Sequence, residues 1–250
     1  MDLAQEVEYK ALASYKPVEK LIQNANSNVQ LFYKNDIVFL TGGSGFLGKQ
    51  YIEKMFRTCD IKKMYVLIRP KKGKTIQDRI KFILDDPVFD KLRMTKPNFA
   101  EQIFPVEGDV ADIRLGLSDK EWETVAKDTS IVVHMAATIR FDSPIKVAVV
   151  TNVRGTREVI ALAKDCKNLN FDLLHGTNSW MGRHQHHVRA LWSKVFYLKS
   201  DLSLNIAPVD IVNNAIIAAG WDSVQNRSKA SDGIPIYTVS STKCEIPWSK

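Results

Sequence analysis

The chain has 250 residues, enough for one sizeable domain with appendages, and its 45% hydrophobic and 25% charged content is that of an ordinary globular protein. Thirty-five basic against 28 acidic residues give a net charge of +7, which suits a phosphate-rich small molecule, an acidic membrane face or nucleic acid, yet no long basic tract is present. Three widely separated cysteines without a CxxC argue against a disulfide framework, the acidic start MDLAQEVEYK argues against a secretory signal, and no apolar run reaches the roughly 18 residues of a membrane span.

In chain order, residues 1–34 read as an extension with a helix around Pro17–Ala25. Asp36–Thr41 (DIVFLT) is a short apolar run leading into GGSG, the pattern of a buried strand entering a turn. Phe46–Arg57 has helical spacing, Met64–Ile68 reads as a second buried strand, and Thr75–Leu84 as an amphipathic helix. Ile103–Val106 and Ser130–Ala136 give a third and a fourth strand. A long helix is expected from about Pro144 to Cys166, and a fifth strand at Phe171–Leu174. Further on, Val209–Ser223 reads as a helix and Ile234–Val239 as a strand. Strands alternating with helices imply parallel βαβ units, hence an α/β fold with a doubly wound Rossmann sheet.

The strongest local motif is FLTGGSGFLGK, residues 39–49, in which Gly42, Gly45 and Gly48 have GxxGxxG spacing between a strand and a helix. One glycine allows the tight turn, one lets backbone approach a pyrophosphate, and one lets the helix pack closely on the sheet. Gly43–Lys49 also reads GxxxxGK, most of a P-loop, but Gln50 stands where a P-loop carries the Mg²⁺-binding hydroxyl. A purely structural turn is the third reading. The cofactor choice falls on the residue closing the second strand. An Asp or Glu there would bind a ribose 2′-hydroxyl, whereas Arg69 suits a 2′-phosphate and therefore NADPH. Arg69 belongs to the densest basic group in the chain, Lys62, Lys63, Arg69, Lys71, Lys72 and Lys74, part of which also reads as a solvated loop.

The segments FYKNDIVFLTGGSGFLGK, KKMYVLIRPKKGKTIQDRI, FPVEGDV, VVHMAATIRFDSPIKVAVVTNVRGTREVIALAK, IAPVDIVNNAIIAAGWD and IYTVSS together resemble the alcohol-forming fatty acyl-CoA reductases, a branch of the extended short-chain dehydrogenases/reductases. That resemblance implies reduction of long-chain acyl-CoA to a fatty alcohol by two hydride transfers from NADPH. It also implies a set of positions. Thr41, Gly42, Ser44, Gly45, Phe46, Leu47 and Gly48 would form the pyrophosphate turn. Arg69 would take the 2′-phosphate, Asp109 and Val110 would flank the adenine, and Ala136 and Ala137 would line the cofactor after the fourth strand. Asn152 would support the proton relay, and Thr177 falls near the expected catalytic hydroxyl. Acyl-CoA is the implied partner, nucleic acid is not expected, and the implied location is the cytoplasmic side of a peroxisome or endoplasmic reticulum.

One part of the pattern is missing. Hydride addition puts negative charge on the substrate oxygen, and a Tyr with a Lys four residues on would supply the proton. None of Tyr9, Tyr15, Tyr33, Tyr51, Tyr65, Tyr197 and Tyr237 has Lys at that place, and Tyr197 is followed by Asp201 there. No counterpart in that family is expected for residues 175–205. Four histidines lie within HGTNSWMGRHQHH; His184, His186 and His187 have ligand-like spacing, but no Cys or carboxylate cluster completes a tetrahedral set, so no metal site is expected. The expected organisation is an extension (1–34), an NADP-binding core (35–174), an atypical junction (175–205) and the remainder of a reductase domain with a truncated substrate half (206–250). Three functional readings follow. One is an acyl-CoA reductase; another is a catalytically impaired NADP-binding form or pseudoenzyme; the third is a different extended-type reductase or epimerase, against which the RFD…NVRGTRE run argues.

Overall fold

The computed structural model describes residues 27–138, 143–174, 203–204, 209–225, 236–239 and 246–247. Five strands form one sheet: β1 (Ile37–Thr41), β2 (Lys63–Ile68), β3 (Ile103–Glu107), β4 (Ile131–His134) and β5 (Phe171–Leu174). Every pairing is parallel and the order is β3-β2-β1-β4-β5. The strand order reverses between β1 and β4, so a crevice opens at the carboxyl ends of these two strands, the place where open α/β sheets bind ligands.

The strands are continuous apolar runs because both faces are covered. Val38, Leu40, Met64, Val66 and Ile68 point into one core with Ile52, Met55 and Phe56. The alternate residues Phe39, Tyr65 and Leu67 point into a second core with Trp122, Val132, Val159 and Leu162.

The helices supply these two layers. The first core takes α1 (Asn28–Phe32), α2 (Phe46–Thr58), α3 (Ile76–Leu84) and α4 (Asp90–Thr95). The second takes α5 (Asp119–Asp128) and α7 (Gly155–Asp165). Between β4 and β5 the chain enters α6 (Ile145–Val149), passes through a π-helical turn at Val150–Arg154, and continues directly as α7. The last long helix is α8 (Val209–Gln225), and a two-residue antiparallel pair joins β6 (Ser203–Leu204) to β7 (Ile246–Pro247). Tyr33 is buried and its hydroxyl donates to Ile217 O at 2.7 Å, so the end of the N-terminal extension is tied to α8 and belongs to the packed body.

Several expectations change. Residues 236–239 of the expected strand Ile234–Val239 form no ladder: Ile236 is 89% exposed and Tyr237 instead reaches Asp222 Oδ2. Pro235 removes a ladder donor from that stretch, which disfavours a central strand. The fourth strand ends at His134 rather than Ala136, because the backbone leaves the ladder where the crevice opens. The helix α5 was not anticipated, although Ser118 and Glu121 form a reciprocal capping box at its start. The helix near Pro17–Ala25, Thr177, Tyr197, Cys244 and the histidines at 175, 184, 186 and 187 lie outside the described residues. Cys59 and Cys166 are both free and buried. Among the described residues no helix is long and apolar enough to cross a membrane.

Candidate functional site

The turn after β1 sits at the mouth of the crevice. Gly42 has φ +79°, the left-handed region, and a Cβ there would meet the backbone of Met135 and Ala136 at 2.7 Å. A Cβ on Gly48 would be driven into Gly42 O and to 2.7 Å from Gly43 Cα, so this glycine lets α2 press against the turn. Gly45 is different. A Cβ there would touch only Gly42 O, at 3.3 Å, and φ −80°, ψ 170° is open to any residue. Packing within the chain therefore constrains Gly45 far less than Gly42 or Gly48.

Gly45 is also the N-cap of α2, and no side chain caps it. The helices α1, α3 and α5 all carry complete capping boxes, from Ser27, Thr75 and Ser118. The first turn of α2 thus presents its backbone N–H groups, and the positive end of the helix dipole, toward the crevice with no acidic residue nearby in sequence. This cradle fits a pyrophosphate. It does not fit the P-loop reading: Lys49, which would have to reach a phosphate, is turned to Asp86 in an ion pair. That pair and the Val88 N–H hold the Asp86 carboxyl below the usual range.

Beside the turn, Arg69 follows directly after β2. Its side chain is 64% exposed and Nε lies 2.9 Å from Asp109 Oδ2. A small cleft at this point is lined by Ile68, Arg69, Pro70, Lys74, Ile76, Arg79 and Glu107. Three cations, Arg69, Lys74 and Arg79, and one carboxylate, Glu107, thus line one small cleft. Arg79 lies in α3 and was not singled out from the sequence. Its signal was available, since Thr75 and Asp78 fix the start of α3, just beyond which Arg79 lies.

The remaining expected positions separate into exposed and buried groups. Phe46 is 70% exposed at the first residue of α2, Ser44 is exposed, and Leu47 packs partly on the first core. Thr41 is wholly buried, and its hydroxyl faces His134 Nδ1 at 2.6 Å instead of the crevice. Asp109 is half-buried and accepts from Ala111 N at 2.9 Å besides holding Arg69, while Val110 is buried in the second core. Ala136 and Ala137 follow β4 after the buried Met135, and both are partly exposed. Asn152 lies in the π turn, and its amide pairs with the backbone of Thr138 in both directions: Thr138 N donates to Oδ1 at 2.8 Å and Nδ2 donates to Thr138 O at 3.1 Å. A π turn inside a helix is a frequent mark of a functional position.

The described tyrosines do not approach this arrangement. Tyr33 and Tyr51 are core residues, with burial pushing both hydroxyls well above the ordinary phenol value. Tyr65, near the amino end of β2, hydrogen-bonds Asp128 at 2.7 Å, and Tyr237 bonds Asp222.

The model of the male sterility protein family, an NAD-binding family, matches residues 40–194, more than half of the chain, and so extends over residues 175–194, where no family counterpart was expected. Fatty acyl-CoA reductase wat of Drosophila melanogaster is 43% identical over 163 residues, which cover 65% of this chain and 31% of that protein. Fatty acyl-CoA reductase 1 of Homo sapiens is 37% identical over 158 residues, 63% of this chain and 30% of that one. Among solved structures, the terminal R domain from the myxalamid PKS-NRPS pathway is 27% identical with a TM-score of 0.47, covering 64% of this chain and 41% of that one. The chain spans about a third of the length of the curated relatives it matches. With the glycine turn, the β1/β4 crevice and residues 40–194 all conforming, the chain belongs to the NAD-binding male sterility protein family.

Proposed function

We propose that this chain binds NADPH and serves the reduction of long-chain fatty acyl-CoA to fatty alcohol. The observation that carries the reading is the uncapped, glycine-lined start of α2 beside a cleft bearing Arg69, Lys74 and Arg79. The names of the relatives supply the substrate class.

In this reading the turn Gly42–Gly48 takes the pyrophosphate, with Thr41, Ser44, Phe46 and Leu47 shaping it, and Arg69 takes the 2′-phosphate. Asp109 and Val110 set the adenine side, and Ala136 and Ala137 set the nicotinamide side. When bound, NADPH supplies the hydride. The protein's own contribution is to fix the dinucleotide in the crevice and to keep Asn152 beside the reacting end. Ile145, Val149 and Val153, which are 82, 49 and 62% exposed, lie on the helical segment that carries Asn152 and offer apolar surface suited to an acyl chain. Thr177 is the candidate hydroxyl for the substrate carbonyl. The same reading places the protein on the cytoplasmic side of a lipid-handling organelle, the peroxisome or the endoplasmic reticulum.

A second reading is favoured by one sequence fact: no tyrosine in the chain has a lysine four residues on. A positioned general acid is worth roughly 10²–10⁴-fold. A dinucleotide-binding form with impaired catalysis would keep the turn and Arg69 and lose the chemical step. The experiment is fatty alcohol formation from long-chain acyl-CoA and NADPH by this chain, alongside a longer relative in which residues 36–174 replace the matching stretch. Alcohol from both supports the first reading. Alcohol from the chimera alone supports the second, and alcohol from neither overturns the assignment of substrate.

A further inference from the structure

The run NVRGTRE, residues 152–158, spans the π turn and the first turn of α7, and all but one of its polar side chains reach segments distant in sequence. On one side it grips the loop after β3. Arg154 donates to Ala111 O, and Glu158 Oε2 accepts from Arg114 N at 2.9 Å. Gly155 lets Val110 come close, since a Cβ there would stand 2.9 Å from Val110 O. The loop needs such support. Arg114 (φ 51°, ψ 31°), Leu115 (φ 60°, ψ 17°) and Gly116 (φ 72°) form a left-handed turn, and the two non-glycine residues would not hold this conformation unaided. That turn returns a bond to the candidate adenine position, with Asp109 N donating to Leu115 O at 2.9 Å. The Arg157 guanidinium and the Arg114 N–H hold the Glu158 carboxyl below the usual range, so it is ionised and a strong acceptor.

On the other side the run grips the segment after β4. Asn152 pairs with both backbone groups of Thr138. Thr156 Oγ1 donates to Asn152 O at 2.6 Å and stands 3.2 Å from His134 Nε2; His134 Nδ1 stands 2.6 Å from Thr41 Oγ1, which accepts from Ala136 N at 3.3 Å. Asn152 O can only accept, so Thr156 donates there and His134 Nε2–H donates to Thr156. Nδ1 then accepts the Thr41 hydroxyl proton. A continuous line of bonds, buried at Thr41 and His134 and part-buried elsewhere, thereby joins the glycine turn, β4 and the π turn.

From these contacts we infer that residues 152–158 are a two-ended brace: Glu158 and Arg154 are positioning residues for the adenosine half of the dinucleotide site, and Asn152 and Thr156, with His134, for the nicotinamide half. The inference rests on the NADPH reading above. It differs from a general packing role because the two ends act on different halves of one ligand.

The test uses the full chain and two probes, adenosine 2′,5′-bisphosphate and NADPH, titrated by calorimetry. Glu158→Ala should weaken both probes by the same factor, about tenfold, and Glu158→Gln, which keeps an acceptor oxygen for Arg114 N, should recover most of it. Asn152→Ala should leave the bisphosphate within about twofold of the unaltered chain and weaken NADPH by about tenfold. If Asn152→Ala weakens both probes equally, or folded Glu158→Ala binds the bisphosphate as well as the unaltered chain, the brace is overturned while the NADPH reading stands. Should Glu158→Ala fail to fold, the Asn152→Ala comparison decides alone. If the unaltered chain binds neither probe, the NADPH reading falls and the brace with it.

Discussion

At the scale of single residues, the three glycines of the turn do different work, and substitution separates them. Gly48→Ala forces a Cβ into the backbone of Gly42 and Gly43 and should cost about 2 kcal/mol or more of stability, read as a lower urea midpoint. The Cβ of Gly45→Val meets only Gly42 O at 3.3 Å on a permissive backbone. This variant should keep its unfolding free energy within about 1 kcal/mol of the unaltered chain while abolishing dinucleotide binding. A Gly45→Val protein that still binds NADPH would remove the pyrophosphate from this turn. Asp36 gives a pH prediction. Burial raises its carboxyl, although Ser130 Oγ at 2.8 Å and Asn170 Nδ2 at 3.0 Å donate to Oδ1, and Oδ2 is buried without a hydrogen bond. A raised folded pKa means a contribution that is full below the ordinary value of 3.8 and lost as pH rises through the folded value. Relative to Asp36→Asn, the unaltered chain should therefore lose stability as pH rises above about 4. Parallel pH dependence of the two urea midpoints would contradict this.

At the scale of elements, the glycine turn, its two flanking elements and β1 to β5 were legible because apolar runs of four to six residues and glycine spacing are local signals. The expected first strand (36–41) and second strand (64–68) differ from β1 and β2 by one residue at their starts. What was not legible depends on contacts across the fold. The π turn inside the expected helix 144–166 comes from Asn152 reaching Thr138, and the left-handed turn at Arg114–Gly116 is held by Glu158, 44 residues away. Thr41 reads as a turn residue in sequence, yet its hydroxyl is committed to His134 on a neighbouring strand. The capping box of α5 was in the sequence, and it has a measurable weight. Ser118→Ala removes the side chain that accepts from Glu121 N, and should lower stability by about 1 kcal/mol without changing dinucleotide affinity. A larger loss with weakened binding would show that α5 is coupled to the site.

At the scale of the whole molecule, an all-parallel sheet with order 3-2-1-4-5 puts the turn after β1, the loops after β2 and β3, and the segment after β4 along one edge. That is why Gly45, Arg69, Asp109 and Ala136, spread over more than 90 residues, can serve one extended ligand. The placement also explains why the excess positive charge does not require a nucleic-acid partner: Arg69, Lys74 and Arg79 already converge on one cleft. The central claim is that this edge is built for NADPH. Calorimetric titration of the unaltered chain and of Arg69→Ala with NADPH and NADH tests it. Charge-assisted bonds to the 2′-phosphate of about 1.5–3 kcal/mol predict NADPH tighter than NADH by roughly 10- to 100-fold, with Arg69→Ala losing most of that preference and little NADH affinity. Equal affinities in the unaltered chain, or an undiminished preference in Arg69→Ala, would contradict it.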